Sequence, residues 1–151
     1  MNKQAEAMEA LKQLIMKREE ADRNRKAINV SDEEAAISDW TLTQLHIVAV
    51  IKEKEKANNT TLAERLNISK PAVTKAVKKL LEHHMIEKTQ REGNKKEVHY
   101  LLSDSGKMLA VIHEQLHEKA EARYLRIFEK FNTEELETII KFLNMMTENI
   151  K

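Results

Sequence analysis

The stretch Thr60–Leu102, TTLAERLNISKPAVTKAVKKLLEHHMIEKTQREGNKKEVHYLL, decides the fold. TTLAERLN has a short helical pattern with a Thr at the cap, followed by a brief connector through Ile68. Ser69 suits an N-cap, and Pro71 falls in the first turn, where its missing N–H costs little. The helix that follows sets Val73, Val77, Leu80 and Leu81 on one inward face. Two extended segments come next, Ile86–Gln90 and Glu97–Leu101, with Val98, Tyr100 and Leu102 alternating. REGNKK lies between them, and its Gly93-Asn94 pair suits a hairpin tip. A short helix, a tight connector, a second helix and a hairpin make up a winged helix-turn-helix. In that arrangement the second helix enters the DNA major groove and the hairpin reaches along the backbone.

The charge pattern agrees. Between Ser69 and Lys79 the cations are Lys70, Lys75, Lys78 and Lys79, and no acid stands among them. The hairpin tip adds Arg91, Lys95 and Lys96 against Glu92 and Glu97, in a chain whose net charge is only +1. Cations concentrated in this way are what a phosphate-binding surface requires. Ser69, Ala72 and Thr74 are short enough to let the helix enter a groove, and Thr74 can meet a base edge or a thymine methyl. Lysines on a helix are more commonly a solvated face. The basic hairpin at the right distance turns the reading toward double-stranded DNA.

Outward from this region, the chain reads as helical. It has 151 residues with only two Gly and one Pro; 34% are charged and 4% aromatic. So few aromatics suit helices that pack on a partner better than one large self-contained core. A narrow apolar stripe (Ala7, Met8, Leu11, Leu14, Ile15) predicts a first helix from Ala5 to about Lys26. Residues Asn29–Asp39 are acidic and aperiodic and read as a connector. A helix from about Thr41 carries Leu42, Leu45, Val48, Ala49 and Ile51 on its buried side. Asp104 opens a long helix to about Phe131, and Asn132 or Thr133 caps a last one. The fold class is therefore mainly α with a small β-hairpin wing. Its expected parts are an N-terminal dimerisation helix and connector (1–34), a winged helix-turn-helix domain (35–104) and C-terminal dimerisation helices (105–151). Cysteine is absent, which excludes disulfides and thiolate chemistry. No apolar run is long enough to span a bilayer and no signal-peptide pattern opens the chain, so a cytoplasmic location is the economical reading.

Three segments carry a resemblance: WTLTQLHIVAVI from Trp40, TLAERLNISKPAVTKAVKKLLEHHMIEK from Thr61, and GNKKEVHYLLSDSGK from Gly93. Together they resemble the multiple-antibiotic-resistance regulator (MarR) family over roughly Ala35–Lys151. The resemblance implies a homodimeric transcriptional regulator, a repressor by function. Terminal helices would form its interface, and each winged domain would read half of a near-palindromic operator. The family's usual wing-tip Asp-x-Arg is here Asn94, Lys95 and Lys96, so the planar guanidinium fork is missing and reading of a narrow minor groove should weaken.

The long helix contains HEQLH, with His113 and His117 four residues apart and on one face. Three readings compete. The first is a zinc metalloprotease helix with Glu114 as general base, yet no later His completes a ligand set and only Glu134, Glu135 or Glu137 remain. The second is two polar residues on the solvated side of a dimerisation helix. The third is a regulatory metal site, implied by resemblance to the zinc-responsive AdcR/ZitR subgroup of the same family. There a ligand histidine falls on His46, the paired histidines fall on His113 and His117, and a first-helix Glu falls on Glu20, with Glu19 and Asp22 as neighbouring choices. That subgroup's second zinc site uses a connector Cys, which is absent here, and a Glu where this chain has Leu45. The expected function is zinc-responsive control of metal-uptake genes. The alternative within the family is release from DNA by a small aromatic or lipophilic ligand, in a pocket lined by residues such as Trp40, Leu45 and Met108.

Overall fold

The computed structural model describes residues 2–24, 32–90 and 97–150. The elements in order are α1 (Lys3–Asn24), α2 (Asp32–Ser38), α3 (Leu42–Lys54), β1 (Ala57–Asn58), α4 (Asn59–Leu66), α5 (Lys70–Glu82), β2 (Ile86–Gln90), β3 (Val98–Leu102), α6 (Asp104–Phe128) and α7 (Thr133–Glu148). Two compact units result, Met1–Thr41 and Leu42–Lys151.

The first unit is α1 and α2. Along α1, Met8, Leu14, Ile15 and Met16 are all exposed. The stretch read as an aperiodic connector is helical over Asp32–Ser38. Its sequence, DEEAAIS, is rich in good helix formers and starts with acids, which favour a helix N-terminus. Seven residues are too few for a periodic stripe to show.

In the second unit a three-stranded antiparallel sheet has the order β1-β3-β2. Ile86 pairs with Leu102 and Lys88 with Tyr100, and Ala57 also pairs with Tyr100 from the other side. The core is built of Ile47, Ile51, Leu62, Val73, Leu80 and Ile86, all essentially inaccessible. Truncating any one of these large side chains to Ala would cost about 2–5 kcal/mol. Helix α3 departs from the expected one-sided stripe: Leu45, Ile47, Val48, Val50 and Ile51 are all buried while Leu42 is exposed. It is the central helix, packed against α4, α5, α6 and the sheet, so its burial runs around the axis.

Local chemistry sets the helix-turn-helix. Asn58, rather than a threonine, caps α4: its Oδ1 accepts from Thr61 N–H at 2.8 Å. Asn67 ends α4 in the left-handed region at φ 54, a conformation Asn tolerates well. The Ile68 N–H then returns to Ala63 O at 3.1 Å. Ser69 caps α5 as expected, its Oγ accepting from Ala72 N–H at 3.2 Å. Ser103 caps α6 by accepting from Gly106 N–H and also donates toward the Met85 carbonyl. A Cβ on Gly106 would overlap that same Met85 carbonyl oxygen, so only glycine lets α6 start this close to the end of α5. Asn132 and Glu135 form a reciprocal capping box on α7. No residue of α7 is buried within the protomer.

Candidate nucleic-acid interface and histidine cluster

With Val73, Ala76, Val77 and Leu80 buried, α5 turns Lys70, Thr74, Lys75 and Lys78 outward, all exposed. Ser69 is exposed, whereas Ala72 and Lys79 are half-buried. Ser69 Oγ is committed to its cap. Thr74 Oγ1 donates back to Lys70 O at 3.1 Å, which leaves its lone pairs and its methyl group for a base edge. Arg91, Lys95 and Lys96 lie outside the described residues. An open cleft of about 630 Å³ runs between α5 and the sheet, and Lys70, Lys75, Lys78, Lys88 and Tyr100 are among its lining residues.

One buried polar contact ties this helix to α3. Gln44, 5% exposed, donates from Nε2 to the Ala76 carbonyl at 3.4 Å. Sequence reasoning passed over Gln44 because a single Gln in an apolar helix carries no signal of which neighbour it faces. Asn58 was also missed, although an Asn ahead of Thr-Thr is a legible cap signature. Its Nδ2 donates to Glu97 Oε1 at 3.1 Å, and His99 Nε2 lies 3.4 Å from the same oxygen.

Two residues after Gln44 stands His46, facing α6. Its ring centroid is 6.1 Å from that of His113, with the planes 52° apart. His113 and His117 meet edge to face at 4.4 Å between centroids, and their Nε2 atoms are 2.9 Å apart. His113 is buried, at 7% exposure, His46 is half-buried and His117 is exposed. A histidine pair on a merely solvated face is thus the wrong description of His113. Its pKa is held below the ordinary value, first by burial, then by the neighbouring His117 and His46 imidazoles, with Glu114 opposing. At neutral pH it is therefore an uncharged imidazole with a lone pair. Glu114, the acid of HEQLH, forms an ion pair with Lys52 of α3 at 2.8 Å.

Glu20, the expected fourth ligand, is exposed on α1 in the first unit. Among the described residues no group of three or more His, Asp or Glu side chains stands ready-arranged around a metal position. Donor chemistry nevertheless fits zinc, which accepts neutral imidazole nitrogens at about 2.0–2.1 Å. Two such ligands on a tetrahedral ion lie about 3.3 Å apart, so the 2.9 Å pair would have to open by a few tenths of an ångström. Of the residues expected to line an organic-ligand pocket, Leu45 is buried in the core and Met108 is exposed. The α5 cleft and a second cleft, between α3, β3 and α6, include neither.

The fold and its outward basic helix define a winged-helix, DNA-binding transcriptional regulator. The chain belongs to the MarR family, whose signature matches residues 40–98. It is 53% identical over 107 residues to the uncharacterized HTH-type transcriptional regulator YvnA of Bacillus subtilis (strain 168), spanning 71% of this chain and 68% of that protein. The crystal structure of ZitR from Lactococcus lactis, described as a zinc-responsive MarR family member, superposes with a TM-score of 0.64 at 35% identity, covering 74% of this chain and 76% of that one. A ZitR variant in complex with DNA gives a TM-score of 0.65 at 37% identity over 74% of this chain and 75% of that one. MarR family proteins are DNA-binding regulators and not enzymes, so HEQLH is no protease helix here. No described helix is long and apolar enough to cross a membrane.

Proposed function

We propose that this chain is a zinc-responsive repressor that acts as a homodimer on a near-palindromic operator and controls genes of metal uptake. The observation that carries the zinc reading is the buried His113, held neutral between His46 of α3 and His117 of α6. ZitR, a relative of known zinc response, supports it. When bound, zinc would supply a cross-link between imidazoles of α3 and α6. His46, His113 and His117 would hold it, three neutral imidazole nitrogens of the kind zinc accepts.

The chain's own residues supply the rest of the route. α3, which carries His46, also carries Gln44, whose amide holds the recognition helix at Ala76. α6, which carries the histidine pair, continues toward α7. On α7, Ile140, Phe142, Leu143 and Met146 are exposed and suit burial against a second copy. A ligand set that spans α3 and α6 sets the winged part against the helices of the interface, and with them the spacing of the two recognition helices. Such a device couples metal and DNA by its differential affinity for the two arrangements, typically about 1–3 kcal/mol. On the DNA, Lys70, Lys75, Lys78 and Lys79, with Arg91, Lys95 and Lys96 of the wing, serve the backbone, and Ser69, Ala72 and Thr74 lie along the groove. Such work places the protein in the cytoplasm.

Metal analysis of protein dialysed against zinc tests the site. About one zinc per chain is expected, since the chain lacks the donors of the subgroup's second site. Loss of that zinc in His113→Ala would support the assignment; undiminished zinc in His113→Ala would overturn it.

A further inference from the structure

We infer that the cleft between α5 and the sheet seats a segment of DNA backbone, with Lys88 of β2 holding a phosphate from the side opposite the recognition helix. This rests on α5 being the helix that enters the groove. Lys70, Lys75 and Lys78 line the helix side of the cleft and Lys88 the sheet side, and among the described residues no carboxylate lines it. Lys88 is exposed and sits directly across from Tyr100 in the β2–β3 register. Its strand neighbour Glu87 points to the other face by the alternation of a strand.

The arrangement has a physical logic. Four ammonium groups around one cleft repel one another unless an anion lies between them, and the cleft is open rather than closed over a small ligand. A backbone running beside an inserted helix meets both conditions, because it presents a phosphate at each nucleotide step. Lys88 would therefore act as a positioning contact: it adds affinity for any sequence and fixes how deeply α5 sits, while reading no base. In sequence the strand leads on to Arg91, Lys95 and Lys96, so Lys88 belongs to the same basic stretch of chain.

The test uses the full-length protein and a random-sequence duplex of about 30 base pairs, three helical turns. The slope of log K against log salt is measured for the wild type, Lys88→Ala, Lys88→Arg, Lys75→Ala and Lys107→Ala. Lys107 is exposed on α6 and lines the cleft between α3, β3 and α6. Lys88→Ala should flatten the slope by about 0.9, the value of one phosphate contact. Lys88→Arg and Lys107→Ala should keep the wild-type slope, and thermal melting should be unchanged in all four. An unchanged slope in Lys88→Ala with a flattened one in Lys75→Ala overturns this inference alone. Unchanged slopes in both mean that α5 is not the helix on the DNA. Equal flattening in Lys107→Ala would also overturn it, because the effect would then be one of general charge.

Discussion

His113 and His117 bring their Nε2 atoms to 2.9 Å of each other on successive turns of α6, and the first of them is buried. A contact this short needs one nitrogen to donate and the other to accept. Burial and the adjacent imidazoles lower the pKa of His113 from its ordinary value of 6.5. The native state therefore binds fewer protons than the unfolded chain at mildly acid pH. Stability from this group is fully present above about pH 6.5 and is lost as pH falls through the lowered native value. Thermal melts of chelator-treated protein between pH 7.5 and 5 should show a steeper decline for the wild type than for His113→Gln. Parallel curves would contradict the lowered pKa.

The cations of α5 make a prediction about salt. Lys75→Ala or Lys78→Ala should weaken binding to every sequence and flatten the salt dependence by up to about one unit each. Fluorescence anisotropy against operator and unrelated DNA at several salt concentrations reads both quantities.

Asn58 does two jobs with one amide, capping α4 through Oδ1 and holding Glu97 at the base of β3 through Nδ2. Asn58→Ala should cost about 1–2 kcal/mol in denaturant unfolding, the usual value of a lost cap. Asn58→Asp keeps the cap acceptor but places a carboxylate beside Glu97. Hydrogen exchange should then quicken around Val98 and His99 while α4 stays protected.

Gln44 couples α3 to α5 through the Ala76 carbonyl. Gln44→Met fills a similar volume and removes the donor. The loss should be about 1 kcal/mol of stability, with zinc stoichiometry retained and the zinc-dependent gain in DNA affinity reduced. Metal analysis and DNA titration of the same sample separate the two effects.

How far these features could be read from sequence follows from how local their causes are. α5 was fully legible because Ser69 and Pro71 mark its start and its apolar face repeats with helical period. The cap of α4 was placed two residues late because Thr60 and Thr61 carry the same capping chemistry as Asn58. β1 is only two residues long, too short for alternation, and α3 hid its orientation by being buried all round. The spacing of His113 and His117 announced a shared face. That His113 is buried and His46 lies beside it depends on α3 packing against α6, a tertiary fact without a local signal. Glu20 rested on resemblance alone, with no spacing to fix its register.

The central claim is that His46, His113 and His117 link zinc to DNA. The direct test is affinity for a duplex the protein itself selects from a random pool, measured with excess chelator and with saturating zinc, for wild type and His113→Ala. Zinc should raise wild-type affinity by about 5–150-fold, the range of typical allosteric coupling, and His113→Ala should abolish the gain while still binding DNA. A wild-type change of less than about twofold, or a full zinc response in His113→Ala, would contradict it.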